Sequence, residues 1–282
     1  MVPAEKDKRE DGTVAVAVAQ FAPGTDKADN LAAIRELALT AARRGAKLVV
    51  FPEYSSFFTA ELGDQSVAAA EPLDGPFVAG ISAIANELGV HVVAGMLETT
   101  DDAARFSNTI VATDPQGTLV AKYRKIHLYD AFGQRESDWV VPGQIEEPET
   151  FILGIPGGAG LKVGIQTCYD IRFPEVTRRL VDAGAELVLV PSEWVRGPLK
   201  EQHWRTLVTA RALENTVYLA AADQAPPIGA GNSMIVDPMG VTLAAVGEIQ
   251  DVAIAWLSAS RLVQVRTVNP ALALRRFRTV PR

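Results

Sequence analysis

Two stretches of the chain repeat each other closely, and this repeat limits the folds that the chain can adopt. GAKLVVFPE at positions 45–53 and GAELVLVPSE at positions 184–193 each follow a predicted helix, and each contains a proline near its end and closes on a glutamate. The apolar stretches before those helices, 14–20 and 161–167, correspond as well. Short buried strands that alternate with helices are typical of α/β proteins. We therefore predict two related β-α-β units that share one core.

The remaining sequence continues this alternation of strand and helix. The predicted strands are 14–21, 47–51, 91–98, 161–167, 186–190, 217–223 and 252–257, the helices are 29–45, 75–89, 173–184 and 203–216, and the hairpins are 108–125 and 232–246. No linker rich in serine or glycine separates the two halves. We therefore predict one domain over residues 13–282, preceded by a disordered extension over residues 1–12.

Composition excludes several classes of protein. A net charge of −7 and the absence of any run rich in lysine and arginine argue against a nucleic-acid partner. The apolar runs are shorter than the roughly 20 residues that a membrane span needs, and the N-terminus lacks an apolar signal core. The 3 histidines show no paired spacing and have no cysteine companions, so we expect neither a metal site nor a cofactor. These observations predict a soluble cytoplasmic protein.

The single cysteine, Cys168, lies where an apolar strand ends and charged residues begin. It cannot form an internal disulfide. Glu53 lies just past the end of another predicted strand, and the carboxyl ends of parallel strands meet at the rim where ligands bind. Alone, Cys168 would suit a buried core position and Glu53 a helix cap. Together they favour a nucleophile and its base, whereas His127 is interpreted as a structural residue.

Three sequence blocks carry a family resemblance: VVFPEY at 49–54, KYRKIHLYD at 122–130 and GIQTCYDIRFPE at 164–175. In this order they resemble the signature blocks of the nitrilase superfamily, the carbon–nitrogen hydrolases. The resemblance implies an α-β-β-α sandwich with an internal pseudo-twofold repeat, and a homodimer or larger assembly formed through helices 173–184 and 203–216. It also implies a catalytic set of glutamate, lysine and cysteine, here Glu53, Lys125 and Cys168, with Glu136 as a second glutamate.

The chemistry of an amide suggests a role for each remaining candidate. Lys125 and the backbone N–H of Tyr169 would stabilise the oxyanion of a tetrahedral intermediate. Glu136 would hold Lys125 or the substrate amide, or else form a salt bridge in a loop. Arg172 would bind a substrate carboxylate, or else serve as a structural partner for Glu175 or Asp170. Trp194 is predicted to line the substrate pocket.

The two residues after the cysteine, Tyr169 and Asp170, resemble the amidase branches of the family. DIRFPE at 170–175 and KIHLYD at 125–130 resemble omega-amidases and deaminated glutathione amidases in particular. We therefore predict an amidohydrolase that cleaves a small, linear, carboxylate-bearing amide through a cysteine acyl-enzyme and releases ammonia. Two alternatives stay open at this point. One is an amidohydrolase of N-carbamoyl amines, and the other is a catalytically inactive binding scaffold of the same fold.

Overall fold

A computed structural model describes residues 12–281. The predicted disordered extension therefore lies outside the described residues, except for Gly12. The elements of the first half are β1 (Thr13–Gln20), α1 (Lys27–Arg43), β2 (Leu48–Val50), α2 (Asp64–Ala69), α3 (Pro76–Leu88), β3 (His91–Thr99), β4 (Phe106–Thr113) and β5 (Leu119–Arg124). All of these except the short helix α2 were predicted from the sequence.

The second half repeats the pattern. Its elements are β6 (Thr150–Leu153), β7 (Leu161–Ile165), a 3-10 helix (Cys168–Arg172), α4 (Pro174–Asp182), β8 (Leu187–Ser192), α5 (Lys200–Asn215), β9 (Tyr218–Asp223), β10 (Met234–Val236), β11 (Thr242–Ala245), β12 (Asp251–Ser258) and α6 (Ala259–Val268). Strand β6 was not predicted, because its 4 residues form too short a run for hydrophobic periodicity to identify a strand.

The strands form two six-stranded sheets with the same internal order. One sheet has the order β12-β1-β2-β3-β4-β5, and the other β6-β7-β8-β9-β10-β11. In the first, β1, β2 and β3 are parallel and β4 and β5 follow antiparallel. In the second, β7, β8 and β9 are parallel, and β10 and β11 again follow antiparallel. The predicted repeat is confirmed, and β12 crosses from the C-terminal half to complete the first sheet.

The core has three apolar layers, which follow from side chains that alternate along each strand. Val16 and Val18 of β1 point between the two sheets, where they share a cluster with Val163 of β7. Ala17 and Ala19 point the other way, towards α1 and α3. A third cluster packs α4 and α5 on the outer face of the second sheet. The architecture is the predicted α-β-β-α sandwich. Among the described residues, no helix combines the length and apolar character needed to cross a membrane.

Candidate active site

The predicted site residues converge on one cavity of about 330 Å³. Glu53 follows β2, Lys125 follows β5 and Cys168 follows β7. Strand β5 runs antiparallel to β4, which runs antiparallel to β3, so β5 has the same direction as β2. The side chains at the carboxyl ends of these strands therefore meet. The cavity is lined by every candidate named from the sequence, namely Glu53, Lys125, Glu136, Cys168, Tyr169, Arg172 and Trp194.

The carboxylate of Glu53 is almost completely buried, with 1% of the residue exposed. Its Oε1 accepts hydrogen bonds from Nζ of Lys125 at 3.0 Å and from Nδ2 of Asn108 at 2.6 Å. Its Oε2 accepts the backbone N–H of Glu193 at 2.8 Å. Both oxygens are thus held by donors from three separate segments of the chain. These donors fix the orientation of the carboxylate towards the cavity.

A glycine in β3 allows the loop that carries Glu53 to approach the sheet. A Cβ atom at Gly95 would lie 2.5 Å from the backbone nitrogen of Tyr54 and 2.7 Å from Cα of Glu53. The backbone of Gly95 also donates to the carbonyl of Pro52 at 3.1 Å and accepts from the N–H of Ser56 at 3.0 Å. Glycine is needed here for close backbone approach, and this approach sets the position of Glu53.

Lys125 lies between two carboxylates. Its Nζ is 3.0 Å from Oε1 of Glu53 and 2.9 Å from Oε2 of Glu136. Glu136 also accepts from the hydroxyl of Tyr54 at 2.7 Å and from the backbone N–H of Tyr129 at 2.5 Å. Of the alternatives for Glu136, the structure shows contact with Lys125, and the pair is buried instead of lying in an exposed loop.

The two members of this ion pair stay charged because each stabilises the other. Burial lowers the pKa of Lys125, but the charges of Glu136 and Glu53 outweigh it and raise that pKa well above its ordinary value. Burial raises the pKa of Glu136, yet the charge of Lys125 and the N–H of Tyr129 bring it below its ordinary value. The site therefore keeps a permanent cation beside Glu53.

Cys168 sits in a strained turn at the end of β7. Its φ is +42°, a conformation that residues with a side chain rarely adopt and that is found at functional sites. A capping box between Thr167 and Asp170 starts the 3-10 helix at this point. Sγ of Cys168 donates to the carbonyl of Glu193 at 3.3 Å. The turn thus presents the sulfur to the cavity from the end of a rigid strand.

The thiol form of Cys168 is favoured over the thiolate. Burial and the negative charge of Glu53 raise the pKa of Cys168 well above its ordinary value, and the charge of Lys125 opposes this only in part. The sulfur is therefore not a preformed thiolate. It needs a base at the moment of attack, and Glu53 is the carboxylate whose charge acts most strongly on it.

Asp170 stabilises the turn that carries Cys168 through hydrogen bonds to neighbouring residues. Its carboxylate accepts the hydroxyl of Tyr123 at 2.7 Å and the backbone N–H of His127 at 3.0 Å, and it lies 2.7 Å from Nδ1 of His127. The ring of His127 also stacks on Phe173 with a centroid separation of 3.7 Å. The histidine thus pairs with Asp170 and not with Cys168. This agrees with its interpretation as a structural residue.

Arg172 and Trp194 lie together at the cavity wall. The guanidinium carbon of Arg172 is 4.8 Å from the ring centroid of Trp194. Nε and Nη2 of Arg172 are buried and have no hydrogen-bond partner. Asp170 is instead bonded to Tyr123 and His127, so it does not act as the structural partner of Arg172 considered above. Tyr169 lines the cavity too, with its ring packed edge-on against Tyr129 at 5.1 Å.

Among the charged residues of this cavity that are not exposed to solvent, sequence reasoning missed Glu193 and Lys200. Oε1 of Glu193 is buried without a partner, and burial together with the charge of Glu53 raises the pKa of Glu193 well above its ordinary value. The repeat contained a signal for this residue, because Glu193 follows β8 as Glu53 follows β2. Lys200 had no such signal, because it begins a helix that was predicted to start only at residue 203.

The described residues form a second cavity apart from this site. A larger cavity of about 680 Å³ lies beside Arg124 and Arg179, but none of the predicted site residues lines it. Within residues 12–281, no group of three or more histidine, cysteine, aspartate or glutamate side chains is arranged to hold a metal ion. The glycine-containing segment 154–160 links β6 and β7.

Comparisons with known proteins agree with this geometry. The family model for carbon-nitrogen hydrolases matches residues 15–267. The deaminated glutathione amidase of Escherichia coli O157:H7 is 38% identical over 268 residues, which cover 93% of this chain and 97% of the relative. An omega-amidase of Xenopus laevis is 32% identical over 276 residues, which cover 93% of this chain and 94% of the relative.

A solved structure of an amidase from Nesterenkonia sp. AN1 has a TM-score of 0.74 and is 26% identical, with 93% of this chain and 97% of that chain covered. That structure is of a glutamate-to-glutamine mutant of the amidase, in which the acetamide moiety of fluoroacetamide is added covalently at the active-site cysteine.

Proposed function

Because the chain belongs to the carbon-nitrogen hydrolase family and is a hydrolase of C–N bonds other than peptide bonds, we propose that it cleaves a small, carboxylate-bearing linear amide through a cysteine acyl-enzyme. Ammonia is the first product. The observation that carries this proposal is the meeting of Glu53, Lys125 and Cys168 at one cavity, from strands far apart in the chain.

Acylation begins when Sγ of Cys168 attacks the amide carbonyl carbon. As the S–C bond forms, Glu53 takes the thiol proton, which a thiol of raised pKa does not release by itself. The C–N bond then breaks, and Glu53 gives the proton to the departing nitrogen, which leaves as ammonia. An acyl chain stays attached to the sulfur as a thioester.

Deacylation uses the same carboxylate, which again accepts a proton and then donates it. Glu53 accepts a proton from a water molecule as the water oxygen attacks the thioester carbon. The C–S bond breaks, the sulfur regains its proton from Glu53, and the acid product departs. Proton transfers balance over the two halves, so the enzyme returns to its starting state.

Lys125 supplies the fixed positive charge for this reaction. Its ammonium is held between Glu53 and Glu136, and both carboxylates raise its pKa, so it stays protonated throughout. In our proposal this charge and the backbone N–H of Tyr169 stabilise the negative oxygen of each tetrahedral intermediate. A donor fixed in a buried site is worth about 3 kcal/mol of barrier in comparable enzymes.

The carboxylate on the substrate is inferred from Arg172. A guanidinium with two buried, unpaired nitrogens in the wall of the cavity is suited to a bidentate anion. The volume of about 330 Å³ is at the lower end of ligand pockets, which favours a small substrate. The names of the relatives, omega-amidase and deaminated glutathione amidase, support an amide of this kind.

One substrate panel tests the proposal. Ammonia release is measured at equal concentrations of monoamides of dicarboxylic acids, uncharged aliphatic amides, N-carbamoyl amines and nitriles. We expect the monoamides to give the highest kcat/KM. Faster turnover of the carbamoyl amines would favour the alternative amidohydrolase, and equal turnover of uncharged amides would exclude a role for Arg172 in substrate choice.

A further inference from the structure

Two cations share one aromatic surface in the wall of the active-site cavity. Nζ of Lys200 lies 4.2 Å from the ring centroid of Phe132 and 5.7 Å from that of Trp194. The guanidinium carbon of Arg172 lies 5.6 Å and 4.8 Å from the same two centroids. Both cations and Trp194 line the cavity that contains Cys168.

Neither cation has a carboxylate partner within residues 12–281. Lys200 is 9% exposed, and the hydrogen bond from its Nζ goes to the neutral hydroxyl of Tyr129 at 2.6 Å. Arg172 leaves two buried nitrogens without any partner. Removing an ion from water costs several kcal/mol, whereas a cation–π contact returns about 0.5–2 kcal/mol. The aromatic rings alone therefore do not balance the burial of two like charges.

Tyr129 adds a third donor to the same place. Its hydroxyl oxygen accepts from Lys200, so the hydroxyl proton is available to another acceptor. Burial raises the pKa of Tyr129 to about 12, which keeps that proton on the oxygen at neutral pH. Tyr129 also lines the cavity. Donors from three segments of the chain, Tyr129, Arg172 and Lys200, thus line the same cavity.

We infer that Lys200, together with Arg172 and Tyr129, binds the carboxylate of the substrate, and that Lys200 determines the preference for amides whose acyl chain ends in this anion. A carboxylate has two oxygens with two acceptor directions each, enough to satisfy the guanidinium, the ammonium and the hydroxyl together. The inference deepens the proposed function and depends on it only for the identity of the site.

The other role open to Lys200 is structural. Its backbone carbonyl accepts from Nε1 of Trp194 at 2.8 Å, so the residue helps to hold the cavity wall through its main chain. That contact survives replacement of the side chain. A purely structural lysine would therefore affect charged and uncharged amides alike, whereas an anion-binding lysine would affect the charged one selectively.

Binding is measured by calorimetry in the full chain carrying Cys168→Ala, which prevents turnover. Succinamate and butyramide are the ligands, because they differ only in that a carboxylate replaces a methyl group. We expect Lys200→Met to weaken the binding of succinamate at least tenfold, about 1.4 kcal/mol, and to weaken the binding of butyramide much less. Lys200→Arg should retain most of the preference. Lys47→Met, which removes an exposed lysine, is the charge-matched control.

The outcomes separate the two proposals. An unchanged succinamate preference in Lys200→Met, or an equal loss for both ligands, overturns the role of Lys200 even if the parent enzyme hydrolyses amides. Lys200-dependent binding of succinamate by a protein that hydrolyses no amide would instead overturn the proposed function. Thermal unfolding of each variant, and Lys200→Gln as a second neutral replacement, identify a loss of folding.

Kinetics provide a second readout in the active enzyme. Because the carboxylate stays bound through the reaction, Lys200→Met should raise KM for succinamate far more than it lowers kcat. A fall in kcat with KM unchanged would place Lys200 in the chemical step and would contradict its assignment to substrate binding.

Discussion

Nζ of Lys125 lies 3.0 Å from Oε1 of Glu53, and the two side chains are only 2% and 1% exposed. The base of the proposed mechanism is thus also the partner of the buried cation. Changing either residue alters both the reaction and the electrostatic balance of the fold. Single and double variants of these residues separate the two effects.

Cys168→Ala should abolish ammonia release, and Cys168→Ser should leave at most a trace. A serine hydroxyl is far harder to ionise than a thiol, and a carboxylate base does not make up the difference. Loss of the nucleophile should exceed about a hundredfold in kcat. Unchanged circular dichroism and thermal unfolding serve as controls. Retention of more than a few per cent of activity in Cys168→Ala would exclude the acyl-enzyme.

Glu53→Gln should lower kcat by about 10²–10⁴-fold and should also lower the pKa of the Cys168 thiol. The negative charge of Glu53 raises that pKa and the charge of Lys125 lowers it, so removing the anion leaves the cation unopposed at the sulfur. The measurement is the pH dependence of alkylation by iodoacetamide. Its midpoint should shift to lower pH in Glu53→Gln but not in Glu149→Gln, a change at a surface carboxylate. An upward shift would disprove this coupling.

Lys125→Met should destabilise the fold by about 3–5 kcal/mol as well as reduce turnover, because it leaves two buried carboxylates without their cation. Urea unfolding measures the loss, and kcat should fall more than KM rises. The double variant Lys125→Met with Glu136→Gln also removes one of the two buried negative charges that lose their cation. It should unfold at a higher urea concentration than Lys125→Met alone, and the reverse order would contradict the ion-pair argument.

Glu193→Gln should stabilise the fold more at pH 8 than at pH 5. The native pKa of Glu193 is raised, so the native state retains a proton that the unfolded state releases above its ordinary pKa near 4.5. The native state thus becomes progressively less stable as the pH rises towards the native pKa, and glutamine removes this loss. Urea unfolding at both pH values measures the difference. A greater stabilisation by Glu193→Gln at pH 5 than at pH 8 would contradict this prediction.

The chain should form a homodimer or larger assembly at micromolar concentration, which we propose from the apolar surface near α5 and the C-terminal tail. Leu213 is 43% exposed, Leu274 is 70% exposed and Phe277 is 90% exposed. Light scattering measures the mass, and Phe277→Asp should shift the population towards monomer. Ile249→Asp, at another exposed apolar position, is the matched control. A monomeric parent protein would rule out the assembly.

Local sequence determined the architecture and most of the site. The repeated stretches 45–53 and 184–193 predicted the two β-α-β units. Buried strands need continuous apolar runs, whereas the helices between them need apolar residues spaced three or four positions apart. The ends of those strands also located Glu53 and Cys168, since polar residues that follow a buried strand mark its rim. Lys125 and Glu136 came from the family resemblance, Arg172 and Trp194 came from the chemistry of their side chains, and all four line the cavity.

Only the tertiary structure determined the partners of these residues. The N–H of Glu193 that holds Glu53 is 140 residues away in the chain, and Tyr129 and Lys200 are separated by 71 residues. Whether a lysine is a solvated surface residue or a buried cation depends on how the two sheets and their loops exclude water. Local sequence patterns do not predict which side chains are shielded from water. Burial and the resulting pKa shifts arise from residues that meet only after the chain has folded.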